Sequence, residues 1–385
     1  MKQFILLSCL FFQFSAFCQT YNPYYASVVS NCSFDSVETY LNEFTNFGIK
    51  ELGTTSLDNT KSWIIDKYSE WGYTDIIEDS FVYSNTTTSN VIITKQGSLY
   101  PNTYLIIDGH YDTRNGPGSN DNGSGTAIIL EMARLLKDVE TEYSIKFIHF
   151  SGEEDGLIGS QHYVDSILIP QNQQILLVYN IDEVGGVSSM VNDIVVCERD
   201  ESAPSSNNIA SNNVTNTLAG CIELYSNLAT EISYAYASDY MPFQSVGEVV
   251  TGLFEKNESP FAHTIFDDMS NLDINYIYEI SKGALGGALE FAIANEDNTG
   301  IVQSNSLVYK VLPNPTKGRI QIQTNDYIGQ IMQIEVTNIL GRSIYFTTQV
   351  NNGSTDLDFT NEAKGIYFIN VRIGKETSNT KFLLN

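Results

Sequence analysis

Four short apolar runs in this chain each lead into a carboxylate or a histidine, and that recurrence restricts the folds open to it. Tyr104 to Ile107 precedes Asp108-Gly-His110, Ile145 to Phe150 precedes Ser151-Gly-Glu-Glu154, Ile175 to Val178 precedes Asp182, and Val249 to Phe254 leads toward His263. Continuous apolar runs of this length read as strands buried on both faces, which are typical of parallel sheets. In open α/β sheets, functional groups gather beyond the carboxyl ends of such strands. The pattern therefore predicts that His110, Asp112, Asp121, Glu153, Glu154, Asp182 and His263 converge in space.

The intervening segments support an α/β core. Ser33 to Phe47 and Thr55 to Trp71 carry apolar residues at helical spacing behind Ser, Asp or Thr starts. Thr126 to Leu136 places Ile128, Ile129, Met132, Leu135 and Leu136 on one face, behind a Gly123-Ser-Gly125 turn. Phe81-Val-Tyr83 and Asn90 to Thr94 flank a polar turn, Ser84 to Ser89, and predict a hairpin. The expected fold is a mixed, largely parallel sheet with helices on both faces, followed by a small C-terminal β-sandwich. No internal repeat is present.

Composition sets further bounds. The 385 residues, 42% of them hydrophobic, suffice for more than one domain. After the helical stretch Asn275 to Asn295, the polar segment Glu296 to Ser306 reads as a linker. From Leu307 the chain turns to short strands punctuated by Gly, Asn and Pro. A first domain over 19–300 and a β-sandwich over 304–385 are expected. With 46 acidic against 20 basic residues, the formal net charge is −26, which repels nucleic acid and anionic lipid.

Met1-Lys2 followed by the apolar run Phe4 to Phe17 suits a secretory signal peptide over 1–18, with Ala16-Phe-Cys18 as its cleavage site. A lipid anchor on Cys18 is the competing reading, disfavoured by the bulky Phe17. No later run is long enough for stable membrane insertion. Removing the signal leaves Cys32, Cys197 and Cys221. One disulfide, Cys197 with Cys221 across the Ser/Asn-rich loop Glu201 to Asn216, is expected; three reduced, buried cysteines are the alternative.

The converging acids need a chemical reason. Four or more carboxylates in one cleft repel one another unless cations neutralise them. Two zinc ions, bridged by one carboxylate and held by further His and Asp/Glu ligands, fit that inventory. They supply a nucleophilic hydroxide and a polarised carbonyl, and a carboxylate that ligates neither metal supplies the proton shuttle. Two Zn²⁺ against Asp121, Glu154 and Asp182 leave one positive charge, which a hydroxide cancels. Asp112, two residues beyond His110, is placed to accept the other ring N–H. His149 inside a strand run and His162 on a helix read as structural.

Five motifs, Gly109-His-Tyr-Asp-Thr113, Ser119-Asn-Asp-Asn-Gly-Ser-Gly125, Phe150-Ser-Gly-Glu-Glu-Asp-Gly156, Asn180-Ile-Asp182 and Ala262-His-Thr-Ile-Phe-Asp-Asp268, resemble the secreted two-zinc aminopeptidases of the bacterial leucine aminopeptidase type. The resemblance spans roughly 30 to 295. It implies that His110 and Asp182 take one zinc, that Glu154 and His263 take the other, that Asp121 bridges and that Glu153 is the general base. Spacing alone leaves Glu153 and Glu154 interchangeable. One departure stands out: Ser238-Asp-Tyr-Met-Pro-Phe243 carries Tyr240 where the family usually has His, leaving the role of Asp239 open.

Val311-Leu-Pro-Asn-Pro-Thr-Lys-Gly318, Asn338-Ile-Leu-Gly341 and Gly365-Ile-Tyr367 resemble the C-terminal sorting domain of type IX secretion. That implies export through the type IX machinery to the cell surface or medium. The expected activity is removal of N-terminal residues from peptide substrates. A glutaminyl cyclase shares the fold and the Asp, Glu, His set. A carboxypeptidase would need a cation such as Arg114 or Arg199 for the substrate carboxylate. A non-catalytic binding protein would lack the ligands that are present here.

Overall fold

The computed structural model describes residues 20–235, 237–296, 309–324, 327–338, 342–373 and 376–385. The expected signal peptide, Cys18 and most of the expected linker lie outside the described residues. The chain divides into two compact units, Met1–Asp297 and Asn298–Asn385.

The first unit opens with three helices, α1 (Pro23–Val29), α2 (Phe34–Asn46) and α3 (Thr55–Glu70). The Ser33 side chain accepts the Ser36 N–H at the start of α2, and Thr54 does the same for Leu57 at α3. Each satisfies one of the amide donors that a helix start leaves free. Val37, Tyr40, Leu41 and Phe44 recur every three or four residues and form the buried stripe of α2.

The hairpin β1 (Ile76–Tyr83) and β2 (Thr86–Lys95) follows. Its turn is tighter than the expected Ser84 to Ser89, because Ser84 and Asn85 both adopt positive φ and close the strands in two residues. Next come β3 (Tyr100–His110), α4 (Gly123–Leu136), β4 (Glu140–Thr141) and β5 (Tyr143–Phe150). Helix α5 (Ile158–Tyr163) runs through a π-helical turn, Val164–Leu168, into α6 (Ile169–Gln171). The unit continues with β6 (Gln174–Ile181), β7 (Ile194–Arg199), α7 (Asn208–Tyr225), β8 (Ala229–Tyr234), α8 (Met241–Ser245) and β9 (Val250–Glu255). Helix α9 (Ile274–Phe291) and β10 (Ala294–Asn295) complete it.

Eight strands form one sheet in the order β1-β2-β5-β3-β6-β9-β7-β8. The central pairs β5/β3, β3/β6 and β6/β9 are parallel, whereas β2 joins β5 and β7 joins β9 antiparallel. Alternation divides each central strand between two cores. Leu105 and Ile107 pack with α2, α4, α7 and α9, and Ile106 packs with Tyr163, Val164 and Phe243 from α5, the π turn and α8. Helices therefore cover both faces of a mixed, largely parallel sheet. Helix α9 approaches α7 closely through three glycines: a Cβ at Gly283 would lie 2.9 Å from Ile222, one at Gly286 2.4 Å from Tyr225, and one at Gly287 2.7 Å from Leu218.

Two expectations are corrected here. The Ser/Asn-rich stretch is not one irregular loop, since α7 begins at Asn208. Its polar residues serve packing, as Thr215 Oγ1 shares a 2.8 Å hydrogen bond with Thr251 Oγ1 and donates to the Glu198 carbonyl at 3.1 Å. Cys197 in β7 and Cys221 in α7 form no disulfide; both are free and buried, as is Cys32. They act as small hydrophobes in the core between sheet and helices.

The second unit is all β. Strands β11 (Tyr309–Leu312), β12 (Arg319–Thr324) and β15 (Ser354–Asp358) make one antiparallel sheet. Strands β13 (Ile331–Asn338), β14 (Ser343–Val350), β16 (Gly365–Ile373) and β17 (Glu376–Leu384) make the other, in the order β14-β13-β16-β17. Alternate residues such as Ile320, Ile322, Ile334, Val336, Ile369 and Val371 form a shared core, as in a β-sandwich.

Candidate metal centre

The parallel strands deliver most of the candidate ligands. His110 is the last residue of β3, Glu153 and Glu154 follow β5, Asp182 follows β6, and His263 lies on the loop after β9. Asp121 sits just before α4, where the Asn122 side chain accepts the Gly125 N–H. The Gly-Ser-Gly segment is thus the first turn of the helix rather than a separate turn.

These side chains meet as two groups sharing one member. His110, Asp121 and Asp182 place ligand atoms within 4.8 Å of one another, and so do Asp121, Glu154 and His263. His110 Nε2 lies 3.1 Å from Asp121 Oδ1 and 3.2 Å from Asp182 Oδ1. His263 Nε2 lies 3.1 Å from Asp121 Oδ2 and 2.8 Å from Glu154 Oε2.

The hydrogen bonding of His110 shows that a cation fits. Its Nδ1 is 3.1 Å from the main-chain carbonyl of Asp112, which can only accept, so Nδ1 carries the proton. In the neutral ring, Nε2 then turns a lone pair toward two carboxylate oxygens, an arrangement favourable only with a positive charge among them. Burial disfavours the imidazolium, yet Asp182, Asp112 and Asp121 together raise the His110 pKa well above its ordinary value. Glu154 Oε1 is buried without a hydrogen-bond partner, a second sign of a place for a cation.

The other acids respond to the same crowding. Burial chiefly, with Asp182, Asp112 and Asp121 adding to it and His110 opposing, raises the Glu153 carboxyl to about 7. Burial and Asp121 raise Glu154 to about 10. Asp121 behaves oppositely: despite its burial, His110 and His263 hold it below the usual carboxylate range.

Asp112 sits beside the ring as expected, but its carboxylate does not orient it. That oxygen is 3.7 Å from Nδ1, and the ring N–H goes to the main-chain carbonyl instead. The carboxylate accepts the backbone N–H groups of Glu153 and Glu154, both at 3.3 Å, and so positions the glutamate pair. His149 is buried in β5 against the Tyr68 hydroxyl at 3.0 Å, and His162 bonds Asp79 at 3.1 Å; neither belongs to the two groups around Asp121.

Four supporting residues went unassigned in the sequence. Ser238 Oγ donates to Asp182 Oδ2 at 2.7 Å. The Asp267 carboxylate accepts the N–H groups of Asn120 at 2.7 Å and Asp121 at 3.1 Å, pinning the backbone that presents the shared carboxylate. Buried Lys50 donates to the carbonyls of Gly48 and Pro117, both at 2.7 Å, and braces the same loop. Glu183 follows Asp182 into the cavity. The Asp-Asp pair four and five residues past His263 and the segment Ser238 to Phe243 offered local signals for Asp267 and Ser238, whereas Lys50 and Glu183 had none.

Tyr240, at the departure from the family pattern, is buried and donates to Glu198 Oε2 at 2.9 Å. Asp239 is buried as well, and burial followed by Glu153 raises its pKa well above the ordinary value. Their neighbours Ala237, Ser238 and Met241 line a cavity of about 320 Å³ that also contains Glu153, Asp182 and His263. Arg114 lines it too, its Nη1 donating to the Glu154 carbonyl at 2.9 Å. Arg199 is engaged elsewhere, by Glu201 and Asn212.

Known proteins resemble this chain in sequence and in fold. Aminopeptidase YwaD of Bacillus subtilis is 32% identical over 197 residues, covering 49% of this chain and 42% of that protein. The chain thus spans less than half the length of that relative. The Legionella pneumophila LapA aminopeptidase structure superposes with a TM-score of 0.61 at 23% identity, over 70% of this chain and 74% of that one. The glutaminyl cyclase of Macrostomum lignano gives 0.63 at 14% identity, over 73% and 97%. Both likenesses concern the fold.

Residues 310–385 match the Secretion system C-terminal sorting domain, which indicates type IX export to the cell surface or medium. Among the described residues, no helix is long and apolar enough to cross a membrane. Residues 90–286, just over half of the chain, match the model of Peptidase family M28, and the chain belongs to that family.

Proposed function

We propose that this chain is an exported zinc aminopeptidase that removes N-terminal residues from peptides. The observation that carries the reading is the sharing of Asp121 between two groups of one histidine and two carboxylates, the inventory for a pair of dications. His110 and Asp182 would hold one ion, Glu154 and His263 the other, with Asp121 between them. When bound, a zinc pair polarises the scissile carbonyl and acidifies an attacking water. Glu153, which is in neither group but lines the same cavity, takes the proton from that water and passes it to the departing amide nitrogen. Asp112 holds the Glu153 backbone in place for that transfer. Residues 19–300 would form the catalytic domain, and 304–385 the sorting domain that engages the type IX machinery.

Metal analysis of the purified chain, combined with a panel of free and N-blocked peptides, tests this reading. About two zinc ions per chain and cleavage confined to free N-termini are expected. One zinc per chain with cyclisation of N-terminal Gln would replace it with a cyclase. Cleavage of N-blocked peptides at their C-terminus, with Arg114 taking the carboxylate, would replace it with a carboxypeptidase.

A further inference from the structure

One carboxylate in the cavity has no task in this scheme. Asp121, Glu154 and Asp182 belong to the two groups of ligands and Glu153 is the proton shuttle, which leaves Glu183. Its backbone has φ 44, in the left-handed region that residues with a Cβ seldom enter. The main chain is anchored there, since the Glu183 carbonyl accepts the Glu255 N–H at 2.9 Å.

The side chain, by contrast, has neither a hydrogen bond nor an ion pair with any described residue. Glu255 shows what a committed buried carboxylate looks like in this region: it accepts from Asn120, Gly186 and Ser259. A largely buried carboxylate without a counter-charge is costly unless something that enters the site supplies one. Arg114 is the only Lys or Arg lining the cavity among the described residues, and its guanidinium bonds the Glu154 carbonyl. Leu157, Ala237 and Met241 add apolar wall. The cavity therefore offers an unclaimed carboxyl group, which an arriving cation would hold in its charged form, together with surface for a hydrocarbon segment.

We infer that Glu183 receives the ammonium group carried by the N-terminal residue of the substrate. That group is either the α-ammonium or the end of a basic side chain, and in both cases Glu183 sets which peptides are held. The inference rests on the aminopeptidase reading and deepens it. A charge-assisted hydrogen bond of this kind shifts affinity roughly 10- to 100-fold.

The test compares the zinc-loaded wild type with Glu183→Gln on Leu-, Lys- and Arg-p-nitroanilides, and measures n-butylamine binding by calorimetry. A KM raised roughly 10-fold or more, with kcat held within about threefold and butylamine binding weakened, is expected. An increase on all three substrates assigns the α-ammonium; one confined to Lys and Arg assigns the basic side chain. Glu183→Asp, which keeps the charge on a shorter arm, should fall between the two. Unchanged KM on every substrate, a loss in kcat alone, or loss of zinc from Glu183→Gln would overturn the inference while leaving the aminopeptidase reading intact. A wild type that cleaves no free peptide would overturn both.

Discussion

Asp121 lies between two imidazoles, one carboxylate oxygen 3.1 Å from His110 Nε2 and the other 3.1 Å from His263 Nε2. Each histidine also faces a private carboxylate, Asp182 for His110 and Glu154 for His263. One residue therefore couples two otherwise separate ligand groups, and each half of the site depends on it.

That coupling sets an order of metal loss. Asp121→Ala removes a ligand from both groups and should lower zinc content below one per chain. His263→Ala removes a ligand from one group and should leave about one. Elemental analysis after gel filtration checks this, and equal zinc in the two variants would contradict the sharing.

Glu153→Gln keeps the shape of the side chain and removes its ability to take a proton. Zinc content should match wild type while kcat falls about 10²- to 10⁴-fold. Near-normal turnover by a zinc-loaded Glu153→Gln enzyme would exclude Glu153 as the base.

The Asp267 carboxylate is the acceptor for two buried amides of the Asp121 loop. Asp267→Ala strands both, at about 1–3 kcal/mol for each unsatisfied group. A lower thermal midpoint in the zinc-free protein, together with weaker zinc binding, is expected. Calorimetry that showed neither would mean the loop is held by other contacts.

Helix α9 meets α7 through Gly286, where a methyl group would lie 2.4 Å from the Tyr225 ring. Gly286→Ala should destabilise the first unit by about 1–3 kcal/mol through overpacking, although alanine is the better helix former. Chemical denaturation measures the sign directly, and a gain in stability would show that α7 can move aside.

His149 governs part of the acid response. Burial lowers its pKa to about 3, whereas an unfolded histidine titrates near 6.5. Between those values the unfolded chain binds a proton that the fold excludes, so stability falls as pH drops through this window. The slope amounts to about 1.4 kcal/mol per pH unit for one proton. His149→Gln cannot titrate and should flatten the curve by that amount between pH 6 and pH 4; parallel curves for the two proteins would show that the buried ring is protonated in the fold.

Much of the core was legible in the sequence because local physics and the final fold agree. The apolar runs Tyr104 to Ile107, Ile145 to Phe150 and Ile175 to Val178 lie within β3, β5 and β6, and the helical stretches Ser33 to Phe47 and Thr55 to Trp71 became α2 and α3. Helix α7 was hidden because its Ser and Asn residues favour loops in isolation; their hydrogen bonds to the sheet exist only once the sheet is formed. The expected crosslink from Cys197 to Cys221 failed for the same reason, since it assumed a loop where a packed helix lies.

The candidate side chains His110, Asp121, Glu153, Glu154, Asp182 and His263 were identifiable by residue type and position, and their convergence followed from parallel strands that present their carboxyl ends on one side. Which oxygen faces which nitrogen was decided only in three dimensions. So were the use of the Asp112 carbonyl rather than its carboxylate on the ring, and the roles of Ser238, Asp267 and Lys50. Ser238 reaches Asp182 across 56 positions, Lys50 reaches Pro117 across 67 and Asp267 reaches Asn120 across 147, and the Asp112 carbonyl is a main-chain atom that every residue possesses alike, so no local pattern records these contacts. Composition and periodicity determined the sheet, its covering helices and the side chains at its edge; the tertiary structure alone decided how those side chains share charge, because that depends on distances of a few ångströms between segments that meet only on folding.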